Sequence, residues 1–191
     1  MKKIIYLCLF FPFLYGQESP YKKFQTYMNE KDGRILNIHI SQEQLGEHFN
    51  SNGILYYFEN KEYVFDTYRE RIAYKDGTIT TINKATKQII YDMDVANNLT
   101  VLDILSGKDD RVIVADPILE KDSFRIPFIL SEWDIKGDIW TVPTTGKPKK
   151  IILNISVDEI ITLKIITAEI ASKNIIPQID TIEYEIIDLR E

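Results

Sequence analysis

Histidine and cysteine are scarce: the 191 residues contain two histidines, His39 and His48, and one cysteine, Cys8. The histidines fit no metal-ligand spacing such as H-E-x-x-H. Cys8 lies within an apolar run, where it is not placed for lipid attachment. The sequence also lacks a G-x-S-x-G nucleophile elbow and a glycine-rich phosphate loop. These absences argue against the common hydrolase, metalloenzyme and nucleotide-binding classes, so we expect a protein that is not an enzyme and needs no cofactor or metal.

The N-terminus has the pattern of a secretory signal peptide. Lys2 and Lys3 form a positive n-region, and residues 4–14 are an apolar run of signal-peptide length. That run is too short to span a bilayer core of about 30 Å as a helix. We predict a cleaved signal peptide over 1–16 and a periplasmic protein with a single domain over 17–191, because about 175 residues suit one domain.

Basic residues are in the minority. Without Lys2 and Lys3, 21 of the 23 basic residues remain against 29 acidic ones, a formal charge of −8. A general nucleic-acid binder needs a basic surface, and so does a protein held electrostatically on anionic lipid. Neither function is expected, and no second apolar run is long enough to cross a membrane.

Alternating apolar and polar residues predict a chain made mostly of short strands. Leu36, Ile38 and Ile40 have the period of a half-buried strand. Asp76-Gly77 between two such segments indicates a tight hairpin, because both central positions of its turn require positive φ. Lys136-Gly137 suggests a turn between strands at 131–135 and 138–142, and an isoleucine-rich segment at 178–187 suggests another strand. We expect about eleven strands in one antiparallel sheet that must curl.

Two helices are predicted within this pattern. The first begins with Ser19 as N-cap and Pro20 at the first helical position, and it ends at 31–33. Its apolar face consists of Tyr21, Phe24, Tyr27 and Met28. The second helix covers 99–105, after an Asn-Asn cap and before Gly107. It is too apolar to lie free on the surface.

Several segments match the motifs of one family, in order. Residues 53–57 read Gly-x-Leu-aromatic, and Asp76-Gly77 opens a strand that ends in Asn83 and turns to Gln88. The short helix at 99–107 and the later strands at 133–142, 150–155 and 160–168 follow in sequence, and 182–184 resemble a strand near the C-terminus. Over most of the chain after residue 16, the sequence resembles the LolA family, periplasmic carriers that take lipoproteins to the outer membrane.

The resemblance implies an unclosed antiparallel β-barrel with helices over its open side, enclosing an apolar cavity for acyl chains. The ligand-binding residues implied are those of a lining strand, an inward aromatic and a lid helix: Leu55, Tyr57, Phe65, Val101, Leu102 and Leu105. Lipoprotein acyl chains or another lipid would be the ligand, with an inner-membrane donor and an outer-membrane acceptor. The carrier itself would be a monomer.

The sequence departs from the family in two places. Proteobacterial members carry Lys-Arg-Pro after the Gly-x-Leu-aromatic strand, where residues 58–61 read Phe-Glu-Asn-Lys. Thr81 and Ile82 stand where the family has W-x-Y. Two alternatives therefore stay open: a LolA-fold sensor or protein-interaction domain of the envelope, and a secreted hydrolase that uses loop carboxylates such as Asp109 or Asp116.

Overall fold

The computed structural model describes residues 18–58, 62–94, 101–107, 111–171 and 175–190. Within these ranges lie two α-helices, one 3₁₀ turn and thirteen strands. The helices are α1 (Pro20–Met28) and α2 (Val101–Ser106). The strands are β1 (Arg34–Gln44), β2 (Glu47–Tyr57), β3 (Tyr63–Thr67), β4 (Glu70–Lys75), β5 (Thr78–Asn83), β6 (Gln88–Met93), β7 (Val112–Val114), β8 (Ile118–Glu120), β9 (Ser123–Leu130), β10 (Ile135–Thr141), β11 (Pro148–Ser156), β12 (Glu159–Ile170) and β13 (Glu185–Asp188). The predicted signal peptide, 1–16, lies outside the described residues.

All thirteen strands belong to one sheet, in the order β13-β6-β5-β4-β3-β2-β1-β12-β11-β10-β9-β7, and β8 also pairs with β9. The sheet ends on β13 at one side and on β7 at the other, so it is not closed. The prediction of a mainly β, unclosed sheet with a few helices is confirmed. The described residues contain thirteen strands instead of about eleven, and one pair, β13 with β6, is parallel.

Hairpin turns with positive φ set the register of the first strands. Asp76 and Gly77 have φ of 50° and 77° and join β4 to β5, as the sequence predicts. A second turn of this kind, with φ of 52° at Leu45 and 81° at Gly46, joins β1 to β2 and was not predicted. Both strands are longer than the sequence predicts. Their ends near this turn are mostly exposed and lack the alternation of apolar and polar residues by which a strand is recognised in a sequence.

The prediction of two strands joined at Lys136-Gly137 is wrong. A single strand, β10, runs through Gly137, while 131–133 form the 3₁₀ turn and Asp134 follows with φ of 51°. This position of the strand requires glycine, because an added Cβ would lie 2.4 Å from the Phe128 ring. The sequence alone does not distinguish a glycine needed for packing space from one needed for a turn, and the turn prediction failed for this reason.

Helix α1 begins as predicted, since the Ser19 hydroxyl accepts a hydrogen bond from the Lys22 amide at 3.2 Å and Pro20 is the first helical residue. It ends at Met28, earlier than the predicted 31–33. Arg34, only 3% exposed, fixes this end. Its Nε donates to the Tyr27 carbonyl at 2.8 Å, and its guanidinium pairs with Glu30 and lies 4.2 Å from the Tyr27 ring centroid.

The two faces of the sheet have different coverings. We call the face that packs against α1 and α2 the inner face, and the opposite one the outer face. Residues 175–190, the C-terminal strap, pass Arg71 on the outer face and end as β13 beside β6. The hydrophobic core lies between the helices and the inner face. An apolar site formed by the helices would therefore be bounded on its other side by the inner face of the sheet.

Candidate apolar binding site

Five of the six predicted ligand-binding residues lie in the core between α2 and the inner face. Leu55 and Tyr57 of β2 are 0% and 1% exposed, and Phe65 of β3 is 6% exposed. Leu102 and Leu105 of α2 are 7% and 0% exposed, and all five belong to the same hydrophobic cluster. Val101 is the first residue of α2, and its side chain lies outside the described part of the structure. The structure thus brings together residues separated by about 50 positions in the sequence.

Three more side chains complete the helical side of this layer. Phe24 and Met28, one turn apart on α1, are fully buried, and Ile104 of α2 is 1% exposed. Phe24 and Met28 belong to the apolar face that the sequence predicts for the first helix. The period alone could have identified these two residues as candidates. Ile104 lies in the predicted second helix, but the sequence does not mark it as a ligand-binding residue.

Helices α1 and α2 are joined by side-chain amides. Gln25 Nε2 donates to the Gly107 carbonyl at 2.6 Å, and Asn29 Nδ2 donates to the Ser106 carbonyl at 2.8 Å. We call these four residues the amide junction. Tyr57 extends it, because its hydroxyl donates to Asn29 Oδ1 at 3.4 Å. The junction supplies partners to carbonyls at the C-terminal end of α2, where a helix leaves its last carbonyls unsatisfied.

Asn29→Ala is expected to loosen α2 from α1. It removes the hydrogen bond to Ser106 and leaves that carbonyl to find another partner, which costs about 1–3 kcal/mol of unfolding free energy. Urea unfolding measures the cost, and limited proteolysis followed by mass spectrometry locates it at 101–107. The exposed Asn50 in β2 provides the control, Asn50→Ala. Equal stability and equal cleavage of the two variants would show that the amide junction does not hold α2.

The five described residues of this layer are packed in the core, at most 7% exposed. Five surface pockets in the described part of the chain are lined by other residues than these. A groove of about 440 Å³ on the outer face includes Tyr56, Asp66 and Pro177, and one of about 360 Å³ at the start of α1 includes Leu119 and Phe124. An acyl chain at the predicted site would therefore take the place of protein side chains.

One of the two carboxylates named for a hydrolase, Asp116, is exposed between β7 and β8. The other, Asp109, lies outside the described residues. His39 Nδ1 lies 2.8 Å from Asn52 Oδ1, a contact between neighbouring strands. Within the described ranges, no group of three His, Cys, Asp or Glu side chains is placed to hold a metal ion.

The described helices are short, nine and six residues, and neither has the length and hydropathy to cross a bilayer.

No family model and no curated protein matches the sequence. Among solved structures, the fold is similar to that of an uncharacterized conserved protein from Thermus thermophilus, with a TM-score of 0.57 and 5% identity over 88% of this chain and 96% of that one. The unclosed, mostly antiparallel sheet with two helices against its inner face is the architecture that the sequence resemblance implies.

Two further solved structures are similar to this chain with lower TM-scores. A LolA superfamily protein from Nitrosomonas europaea matches with a TM-score of 0.48 and 10% identity, over 83% of this chain and 93% of that one. A putative outer membrane lipoprotein-sorting protein domain from Vibrio parahaemolyticus matches with a TM-score of 0.43 and 8% identity, over 84% and 94%. At these identities the similarity is one of fold.

Proposed function

We propose that this protein is a non-enzymatic carrier of the bacterial envelope that holds acyl chains, of lipoproteins or of another lipid, between α2 and the inner face. One observation carries the proposal. Helix α2 buries Leu102, Ile104 and Leu105 in the core, while its C-terminal carbonyls are held by side-chain amides of α1. Because these hydrogen bonds hold α2 at its C-terminal end, we expect its buried apolar side chains to be able to leave the core and contact a bound lipid instead.

The exchange is favourable because apolar surface is never left in water. When α2 moves away, an acyl chain covers the inner face and the apolar side of α2 covers the chain. Each CH₂ transferred from water contributes about 0.8 kcal/mol. The methylene groups of a fatty acid such as palmitate can then offset the loss of the α2 contacts and the cost of association, so that the acyl chain binds with micromolar affinity. No catalytic residue is required.

The cellular setting of the proposal comes from the N-terminal sequence and the family resemblance. Cleavage after residue 16 would release the chain into the periplasm. Transfer from an inner-membrane donor to an outer-membrane acceptor, as a monomer, is the role that the resemblance implies. In that role, release matters as much as affinity, and a six-residue helix with two amide contacts is easier to displace than a larger lid.

A fluorescent fatty acid tests the proposal. The full-length chain is produced with its own N-terminal segment, recovered from the periplasm, stripped of lipid and titrated with 11-(dansylamino)undecanoic acid. We expect saturable binding with a Kd in the micromolar range and complete displacement by palmitate, because both ligands compete for the layer under α2. A signal that rises linearly with probe, or that palmitate leaves unchanged, would contradict the proposal.

The tight packing of the same layer supports one alternative. Residues that are 0–7% exposed are also what a protein-interaction or sensor domain of this fold would show, since its core has no cargo to admit. Such a domain would bind neither the dansyl probe nor palmitate, and would instead co-purify with an envelope protein. The titration therefore separates the two functions.

A further inference from the structure

The outer face of the sheet carries a groove of about 440 Å³ that the proposed lipid site does not use. Asn37, Ile54 and Asp66 lie side by side along it, because they are paired across β1, β2 and β3. Pro177 of the C-terminal strap also lines it. Each of these three strands has a neighbour on both sides. Their backbone groups are largely engaged in the sheet, so a ligand in the groove is recognised mainly by side chains.

Two cations share one carboxylate at one end of this groove. Arg71 Nη2 and Lys84 Nζ each lie 2.5 Å from an oxygen of Asp66. They also donate to one carbonyl each, those of Pro177 and Thr67. Two positive charges against one negative charge leave a local charge of +1, on a chain whose formal net charge is −6. This end of the groove therefore attracts an anion.

The same two cations have donors to spare. Arg71 Nε is buried, on a side chain that is 9% exposed, and has no hydrogen-bond partner among the described residues. Lys84 Nζ has three N–H groups and donates to two oxygens, and its side chain is 27% exposed. Of the two residues, Lys84 lines the groove and can donate to a ligand directly. Because buried donors are costly when they lack acceptors, this cluster suits a ligand that supplies acceptor oxygens.

An exposed aromatic ring separates the groove from a second hollow of about 590 Å³. Tyr68, which is 93% exposed, lines both hollows. Its turn is fixed, because Thr67 Oγ1 accepts hydrogen bonds from two amides of the turn at 3.2 and 3.0 Å. Asn52 also lines both hollows, and its Oδ1 contacts His39 while its Nδ2 has no partner among the described residues. We call the two hollows together the outer trough.

We propose that the outer trough binds an acidic oligosaccharide, with a carboxylate of one sugar at Lys84 and the C–H face of a neighbouring ring on Tyr68. A carboxylate accepts charge-assisted hydrogen bonds from an ammonium group. A pyranose ring has an apolar C–H face, which packs on an aromatic ring, and hydroxyls, which accept from a free amide such as Asn52 Nδ2. The proposal is independent of the carrier function, because the trough and α2 lie on opposite faces of the sheet.

The floor of the trough favours a saccharide over an extended peptide. A peptide strand that binds to a sheet uses the unpaired backbone groups of an edge strand. Asn37, Ile54 and Asp66 belong to strands in the interior of the sheet, where such groups are not on offer. The trough instead presents amides, an ammonium group and a ring. These groups match the hydroxyls, carboxylates and C–H faces of an acidic sugar chain.

Isothermal titration calorimetry with tetragalacturonate tests the proposal, and its fully methyl-esterified form is the matched neutral ligand. The full chain, recovered from the periplasm, should bind tetragalacturonate saturably and about 10-fold tighter than the ester, because hydrogen bonds between charged groups are stronger than neutral ones. Lys84→Met should remove this preference and leave the affinity for the ester within about 2-fold of wild type. Lys75→Met, at a lysine that is 68% exposed outside the trough, is its control and should keep the preference.

A pair of substitutions tests the ring. Tyr68→Ala should weaken the binding of both tetrasaccharides by about 5- to 20-fold, because it removes the aromatic face. Tyr68→Phe keeps that face and should stay within about 2-fold of wild type. The side chain is exposed, so neither change disturbs the core. Circular dichroism confirms that each variant is folded, and Lys84→Gln replaces Lys84→Met should the latter fail to fold.

Three results would overturn the proposal. The first is a folded wild-type protein that binds neither tetrasaccharide saturably. The second is binding that Tyr68→Ala and Lys84→Met leave unchanged, which would place the saccharide elsewhere. The third is binding of tetraglutamate as tight as that of tetragalacturonate and equally weakened by Lys84→Met, since the trough would then select charge and not sugar. Palmitate titration of the same wild-type preparation tests the carrier function separately.

Discussion

Leu102→Asp is expected to abolish acyl-chain binding while leaving the sheet folded. Leu102 lies on α2, is 7% exposed and packs in the layer where we place the lipid. A carboxylate there would have to lose its hydration when a chain closes over it, and burying an unpaired charge is strongly unfavourable. Binding should weaken by roughly 100-fold or more, a loss of about 2.7 kcal/mol or greater.

Leu102, at 7% exposure, is buried but less so than the other α2 leucine, so Leu102→Asp loosens α2 and the near-ultraviolet spectrum must show that the sheet stays folded. Leu105, which is fully buried, would carry the charge into the core and unfold the layer instead. Val157→Asp, at a position that is 96% exposed, introduces the same charge where no contact is lost and serves as the control. Both variants are compared with wild type by probe titration and near-ultraviolet circular dichroism. A folded Leu102→Asp variant that binds palmitate normally would place the lipid elsewhere.

Arg71→Met is expected to produce the largest loss of stability among the single charge removals discussed. Arg71 is 8% exposed on the outer face, where its Nη2 lies 2.5 Å from Asp66 Oδ2 and its Nη1 donates to the Pro177 carbonyl at 2.7 Å. Lys84 Nζ lies 2.5 Å from the other oxygen of Asp66. The group joins β3, β4 and the C-terminal strap. Without Arg71, the buried carboxylate of Asp66 keeps only Lys84 as a partner. We therefore expect the free energy of unfolding to fall by about 2–4 kcal/mol.

The position of the loss is as informative as its size. Without the bond to Pro177, the strap and the parallel pair of β13 with β6 should exchange amide hydrogens faster than the rest of the sheet. Arg125→Met is the control, because Arg125 pairs with Glu120 and Asp138 but is 31% exposed, and exposed pairs contribute about 0–1 kcal/mol. Similar urea midpoints for the two variants would show that the buried group does not stabilise the fold.

The pH dependence of stability checks the same group. Burial alone would raise the pKa of Asp66, but hydrogen bonds from Arg71 and Lys84 outweigh it and lower the pKa below its ordinary value. The ionised carboxylate therefore stabilises the native state above the unfolded pKa of about 3.9, and this contribution is lost as the pH falls through the lower native pKa. Asp66→Asn should have a flatter acid limb in a plot of unfolding free energy against pH. An unchanged limb would contradict this assignment.

Local patterns predicted the parts of the fold that local forces determine. The Ser19 cap, Pro20 and the Asp76-Gly77 turn follow from backbone geometry within a few residues. The alternation at Leu36 and Ile38 identified an inner face because one side of β1 is buried. The resemblance pointed to β2, Phe65 and α2, which the structure brings into one layer.

The remaining features depend on contacts between distant segments. The predicted strand at 178–187 is a strand only from Glu185, and Ile182 and Ile186 are exposed, so the isoleucines there do not report burial. The bond between Arg71 and Pro177 joins residues 106 positions apart. Gln25 and Asn29 have the appearance of surface residues of a helix, and their role emerges only when α2 lies beside them. The predicted signal peptide stays a prediction.

The central claim is that the layer between α2 and the inner face holds an acyl chain. Native mass spectrometry of the full-length gene product, recovered from the bacterial envelope without detergent, tests it most directly. We expect a fraction of wild-type molecules to carry one added mass of an acyl-bearing lipid, identified after extraction, and Leu102→Asp to carry none while Val157→Asp carries it like wild type. A wild-type spectrum free of lipid, together with unchanged mass after incubation with palmitate, would contradict the carrier and leave an interaction domain as the function of this fold.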